Sequence, residues 1–166
     1  IYFEGKHLLL NLLNIEVPII AAINGPTLRH AEIPLLSDIV LAADTATFQD
    51  SAHFWGGLVP GDGVHVVFPH LMGTNRGRYF LLTGQTINAQ EAKEVGLVNE
   101  VMPLDQLLPR AWELARYLKM RSPLLRRYSR VLATQELKKK ILDLHGYGLA
   151  LEGLAATHNS NQTDHP

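Results

Sequence analysis

The sequence predicts an α/β core followed by a helical C-terminal module, and three observations carry that reading. Residues 18–25, Pro-Ile-Ile-Ala-Ala-Ile-Asn-Gly, form a short, almost wholly apolar run that ends in a turn signal, as a buried strand does. Residues 38–43, Asp-Ile-Val-Leu-Ala-Ala, supply a second such run. From Leu104 onward the spacing of apolar residues is helical almost to the end, with Pro109 and Pro123 as punctuation. Strands alternating with helices, then helices alone, place residues 1–103 in the core and residues 104–166 in the helical module.

The other elements follow in order. Residues 1–14 read as a helix, because Leu8, Leu9, Leu12 and Leu13 recur at helical spacing. A second helix starts near His30 and runs through Leu36, and Thr47-Phe48-Gln49 is a third short strand. Residues 50–63 are a loop, residues 64–71 a helix, and residues 75–83 a helix closed by Gly84. Residues 89–95 are helical and capped by Gly96, and residues 97–102 return as a strand. The polar tail from Asn159 to Pro166 is expected to fray.

Bulk properties exclude several function classes. A chain of 166 residues favours one domain, and 46% hydrophobic residues suffice for a core. Fifteen basic residues against sixteen acidic ones argue against nucleic acid or an anionic membrane as partner. The run Lys138-Lys139-Lys140, between Glu136 and Asp143, reads as a solvated helix face. With no cysteine there is no disulfide, thiol nucleophile or cysteine-bound zinc, which fits a cytoplasmic protein. No apolar run reaches the roughly 18 residues of a membrane helix, and no signal peptide is visible. The chain opens at Ile1 inside an amphipathic pattern, so we expect it to be part of a longer protein.

Chemistry concentrates in one loop. His53-Phe-Trp-Gly-Gly-Leu-Val-Pro-Gly-Asp62-Gly63 puts an imidazole and a carboxylate at the ends of a glycine-rich, proline-bent segment that can double back. A neutral imidazole accepts a proton near neutral pH, and a neighbouring carboxylate fixes its tautomer and stabilises the imidazolium. His30, in Gly25-Pro-Thr-Leu-Arg-His30-Ala-Glu32, is a further candidate, and together these residues point to a hydrolytic site. Each has a structural alternative: His53 as a buried hydrogen-bonded ring, Asp62 as a turn former, His30 as a helix cap. Trp55 and Phe54, beside His53, are candidates to line a substrate pocket, whereas His65 and His70 read as packing or surface residues. No histidine pair has a zinc-like spacing, so no metal or other cofactor is expected.

Pro18 to Gly25, Ser37 to Ala43, Ala46-Thr-Phe48, Gly57-Leu-Val-Pro-Gly61, Leu82-Thr-Gly84 and Ala89 to Val101 resemble, in shared order and spacing, the enoyl-CoA hydratase/isomerase (crotonase) superfamily. The resemblance implies a spiral core of ββα turns with its front part missing, and C-terminal helices that support a homotrimer or a dimer of trimers. The departures narrow it. Where hydratases carry a glycine triplet that helps hold a thioester oxyanion, this chain has Arg29-His30-Ala31. One hydratase glutamate falls on His53, the other is matched by Glu32, and Asp62 follows the Pro-Gly pair. With Phe48-Gln-Asp50, Val59-Pro-Gly-Asp-Gly63 and Gly73 to Gln85, the pattern is similar to the β-diketone hydrolase branch, typified by 6-oxocamphor hydrolase. That branch uses water to cleave a carbon–carbon bond between two carbonyls (a retro-Claisen reaction) and gives a keto acid. By resemblance, His53 is the base paired with Asp62, His30 stabilises the enolate, and Glu152 is a further catalytic residue; Glu32 is a candidate substrate-binding acid or a core salt-bridge partner, and Trp55 a pocket wall or a plug of the loop. The implied partner is a small diketone. The competing readings are a hydratase or isomerase of acyl-CoA thioesters, and an inactive piece of the scaffold.

Overall fold

In chain order the elements are α1 (Tyr2–Leu13), β1 (Ile20–Ile23), α2 (Glu32–Leu35), β2 (Ile39–Ala43), β3 (Thr47–Phe48), α3 (Val64–Met72), α4 (Thr74–Thr83), β4 (Ile87–Asn88), α5 (Ala89–Glu94), β5 (Glu100–Met102), α6 (Leu104–Lys119) and α7 (Pro123–Thr163). They belong to a computed structural model of the chain that describes residues 2–163. The two apolar runs become neighbours because a dry strand must find backbone partners. β1 lies parallel to β2 with Ile20 opposite Ile39, and β2 lies parallel to β5 with Leu41 opposite Glu100. β3 pairs separately and antiparallel with β4, Phe48 opposite Ile87.

Helices cover this sheet as the apolar runs require. α6 packs on β1 and β2, and Leu107 joins Leu41 and Ala43 in a small buried cluster. The main core gathers Leu9 and Leu13 of α1, Val67 and Phe68 of α3, Phe80 of α4, and Leu137 and Ile141 of α7. Phe68 and Phe80 meet with ring centroids 4.7 Å apart, a separation favourable for aromatic pairs.

Most expected elements form, and the differences have local causes. α2 begins at Glu32, two residues later than expected, because His30 sits at φ 52°, outside the helical region. The strand expected over residues 97–102 is regular only from Glu100. β4 was not expected; its two residues carry too little pattern to be read. Inside the loop 50–63, Phe54–Gly56 make a 3₁₀ turn. Pro109 does not interrupt α6, nor does Pro69 interrupt α3. The tail expected to fray remains helical through Thr163, and Asn159 donates from Nδ2 to the Gly57 carbonyl at 2.7 Å. Residues 164–166 of that tail lie outside the described residues. No described helix is long and apolar enough to cross a membrane.

One buried cation joins the C-terminal helices to the start of the chain. Arg130 of α7, 2% exposed, donates Nε–H to Asp38 Oδ2 at 2.6 Å. Its terminal nitrogens bond the carbonyls of Leu12, Leu13 and Ile15, which the end of α1 leaves without helical partners. Asp38 Oδ2 also accepts the backbone N–H of Ile19 at 2.7 Å, so one carboxylate ties α7 to the approach to β1. Arg130→Ala would leave the Leu13 and Ile15 carbonyls without this donor and Asp38 with only the Ile19 N–H and no cation. We expect a loss of about 3–5 kcal/mol in urea unfolding, and a loss below about 1 kcal/mol would show that the network carries little.

Candidate active site

Two loops come together because a short backbone bridge forces them to. Thr27 and Phe48 form an isolated parallel bridge, with Thr27 N–H donating to Thr47 O at 2.8 Å and Gln49 N–H to Thr27 O at 3.2 Å. Ser51 adds two bonds to the Leu28 carbonyl, from its N–H at 3.0 Å and its hydroxyl at 2.8 Å. The segment carrying His30 is thereby fixed against the segment carrying Asp50 and His53. The third wall is α7, whose Gly148 approaches Gly61 very closely. A Cβ placed on Gly61 would lie 2.2 Å from the Gly148 carbonyl oxygen and 2.8 Å from Glu152 Cβ. Only glycine at this contact allows α7 to bring Glu152 against the loop.

The expected residues His30, Glu32, His53, Asp62 and Glu152 converge. Asp62 is the hub. Its Oδ1 accepts the Val64 N–H at 3.4 Å, at the start of α3. Its Oδ2 lies 3.4 Å from His53 Nε2 and 3.4 Å from His30 Nδ1. Glu32 Oε1 is 3.1 Å from His30 Nδ1, and Glu152 Oε1 is 4.0 Å from His53 Nε2. The structural reading of Asp62 as a turn former therefore holds for one oxygen while the other faces two imidazoles.

Asp50 was not among the expected site residues, yet it makes the shortest contact in the cluster. Its Oδ1 is 2.6 Å from His53 Nδ1, and both residues are about 3% exposed. The paired carboxylate on Nδ1 is thus Asp50, and Asp62 faces the opposite nitrogen. The available signal was the three-residue spacing from Asp50 to His53, which one turn of irregular backbone can close.

Phe54 and Trp55, expected to hold substrate, are not brought to this cluster. They line a separate cleft of about 270 Å³ with Leu82 and Thr83 of α4. The indole N–H of Trp55 donates to the Thr83 carbonyl at 2.6 Å, a group that the end of α4 leaves free. A larger cleft of about 750 Å³ reaches Glu152 instead, walled by Leu58, Leu149, Ala150, Gly153, Leu154 and Ala156. Its sequence trace is the run of small residues at Ala150, Gly153 and Ala156, one face of α7. His65 and His145 stand behind the loop, where burial pushes both rings below the usual histidine range.

Electrostatics follow from four carboxylates around two imidazoles. Burial opposes charge on His53, but the hydrogen bonds and charges of Asp50 and Asp62 outweigh it and push the ring up to about 10. Burial likewise opposes charge on Asp62, but bonding to His53 holds it below its usual range. Burial and then the Asp62 charge raise Glu32 to about 7, and the same two causes raise Glu152. Such divergent values make the cluster a candidate for proton transfer. His30, Glu32 and Asp62 also present three ligand atoms within 4.8 Å of one another, a spacing that could hold a cation.

Glu32 supplies a stability test. A carboxyl raised from 4.5 to about 7 on folding favours the folded chain fully below about 4.5, and loses that preference as pH rises through about 7. Glu32→Gln, neutral throughout, should gain on the parent by on the order of 1–3 kcal/mol between about pH 4 and pH 8. Urea unfolding at both values checks this, and a variant that instead falls behind as pH rises would refute it.

Comparison with known proteins shows the family and the fold. The family model described as enoyl-CoA hydratase/isomerase matches residues 2–143. Hydroxycinnamoyl-CoA hydratase-lyase of Pseudomonas fluorescens is 39% identical over 111 residues, covering 66% of this chain and 40% of that protein. Crotonyl-CoA hydratase of Syntrophomonas wolfei is 33% identical over 127 residues, covering 76% and 48% respectively. The chain thus spans less than half the length of these relatives. Among solved structures, a β-diketone hydrolase from the cyanobacterium Anabaena sp. PCC 7120, bound to (S)-3-oxocyclohexyl acetic acid, is 50% identical with a TM-score of 0.94, covering 96% of this chain and 64% of that one. An enoyl-CoA hydratase/isomerase from Mycobacterium paratuberculosis is 28% identical with a TM-score of 0.86, covering 93% and 61%. With its fold and a family match over residues 2–143, the chain belongs to the enoyl-CoA hydratase/isomerase (crotonase) family.

Proposed function

We propose that this chain carries the acid–base half of a hydrolase that cleaves a carbon–carbon bond of a β-diketone, a cyclic one by preference, to give a keto acid. The observation that carries it is the convergence of two imidazoles, His53 and His30, on one oxygen of Asp62. The likeness to the Anabaena β-diketone hydrolase supports it, since the molecule bound there holds both a ketone and a carboxylic acid. The apolar cleft with Glu152 in its wall suits a hydrocarbon ring better than a charged substrate.

The reaction needs an activated water, a donor for the oxygen that gains charge, and a proton for the departing carbon. Water at the Nε2 side of His53 gives up a proton and bonds to one carbonyl carbon. The carbon–carbon bond then breaks, its electron pair passes to the second carbonyl as an enolate, and the His53 imidazolium protonates the enolate carbon. His30 binds the enolate oxygen. Its side chain is 59% exposed and its Nδ1 is anchored by Glu32, so Nε2 is free to face substrate. Glu32, pushed up to about 7, can carry a proton on the Nδ1 side and leave Nε2–H as the group the ring offers. A single placed donor of this kind is worth about 10²–10³ in kcat.

The high affinity of His53 for its proton favours a second assignment within the same reaction. A ring that titrates near 10 is charged at neutral pH and suits the acid role, with Glu152 as the carboxylate that takes the proton from water. The pH profile of kcat/KM separates the two. With His53 as base, the rate climbs about tenfold per pH unit from neutrality toward 10, because only the neutral ring accepts a proton. With His53 as acid it is level there and falls above about 10.

Assembly is part of the same reading. Trp112, Tyr117, Leu124, Leu125, Tyr128 and Leu132 of α6 and α7 are all at least half exposed, and we propose that further copies of the protein cover them in a trimer or dimer of trimers. Light scattering that found only monomer would contradict this.

The function is tested by offering the intact protein cyclic 1,3-diketones and enoyl-CoA thioesters and following mass. Ring opening with gain of one water is expected, and turnover of thioesters alone would end the proposal. His30→Gly suits the left-handed backbone of residue 30 while removing the imidazole. It should lower kcat by about 10²-fold, and unchanged kcat would remove His30 from the chemistry.

A further inference from the structure

The reaction as drawn gives no part to Asp50, although it lies closest to His53. Asp50 Oδ1 sits 2.6 Å from His53 Nδ1, inside ordinary hydrogen-bond range. Asp62 Oδ2 stands farther off, 3.4 Å from Nε2, in a longer and weaker contact. Asp50 is held on both sides: Gln49 donates to Thr27 O and to Gly84 O, and Ser51 bonds the Leu28 carbonyl. Both Asp50 and His53 are buried, so bulk water does not compete for the Nδ1 contact. A carboxylate fixed at Nδ1 requires a hydrogen there. In the neutral ring the lone pair then lies on Nε2, toward Asp62 and Glu152.

We infer that Asp50, rather than Asp62, is the positioning residue of the His53 imidazole, and that Asp62 faces the nitrogen that exchanges the proton. Asp62 Oδ2 lies 3.4 Å from His53 Nε2 and equally far from His30 Nδ1, so it favours neither ring. A carboxylate that orients one ring makes its short bond to that ring, as Asp50 does and Asp62 does not. The role of Asp50 in turnover rests on the hydrolase reading, but its effect on the ring does not.

Charged and titratable groups face His53 from three elements: Asp50 and Asp62 on its own loop, Glu152 on α7 and His65 on α3. Asp50→Asn keeps the shape and can present an amide N–H to Nδ1, which moves the ring hydrogen to Nε2 and blocks proton uptake there. Nitrogen-15 NMR of the intact protein, labelled at histidine and read above the His53 titration midpoint, reports the tautomer without any substrate. The parent and Asp62→Asn should both show Nδ1–H, and Asp50→Asn should show Nε2–H. In turnover, Asp50→Asn should lower kcat by about 10²–10⁴-fold with KM within about threefold. An Asp50→Asn ring that keeps Nδ1–H, or an Asp62→Asn ring that loses it, overturns the inference. If Asp50→Asn does not fold, the Asp62→Asn spectrum alone decides. If no diketone is turned over by the parent while the tautomer follows Asp50, the positioning role stands and the hydrolase reading falls.

Discussion

The backbone bridge between Thr27 and Phe48 is the constraint on which the site depends. Residues 27 and 48 are remote in sequence, and neither loop has regular structure to orient it. Four hydrogen bonds from Thr27, Gln49 and Ser51 remove that freedom, and each pins a residue within three positions of His30, Asp50 or His53. The imidazoles need no long-range contact of their own once the backbones are locked. His30 completes the arrangement by accepting a left-handed conformation, in which α2 cannot begin until Glu32. The strain of a non-glycine residue there, of order 1 kcal/mol or more, is offset by the bond of its ring to Glu32.

A second constraint acts from the far end of the chain. α7 is packed against α1 and α3, held by Arg130 and by the Gly61–Gly148 contact. Its position sets both Glu152 and the walls of the 750 Å³ cleft. A one-carbon addition at either glycine would push the helix off the loop, so the cleft and the carboxylate are coupled through one close approach. Packing that looks purely structural thus fixes the distance between Glu152 and His53.

The cluster is suited to the proposed chemistry because it is over-supplied with acid. Four carboxylates around two imidazoles cannot all be charged at low cost in a partly dry space. Asp62 stays charged because His53 bonds it, and Glu32 and Glu152 are pushed toward the neutral form. Proton donors and acceptors therefore coexist at one pH, which is what a reaction that takes a proton from water and returns one to carbon requires.

Most of the elements and the chemical inventory were legible in the local sequence. Apolar runs at 18–25 and 38–43, glycine stops at Gly84 and Gly96, and the histidines and acids of the glycine-rich loops are local signals. Local signals survive into the fold because hydrophobic periodicity and turn preference act within a few residues. Tertiary structure alone decided that Asp50 takes the Nδ1 side of His53, that Asp62 is shared with His30, and that Trp55 turns to the end of α4. It also decided that α7 supplies the substrate-sized cleft. In irregular loops no period tells which way a side chain points. Direction there follows from hydrogen bonds to segments tens of residues away, and those exist only once the chain has folded.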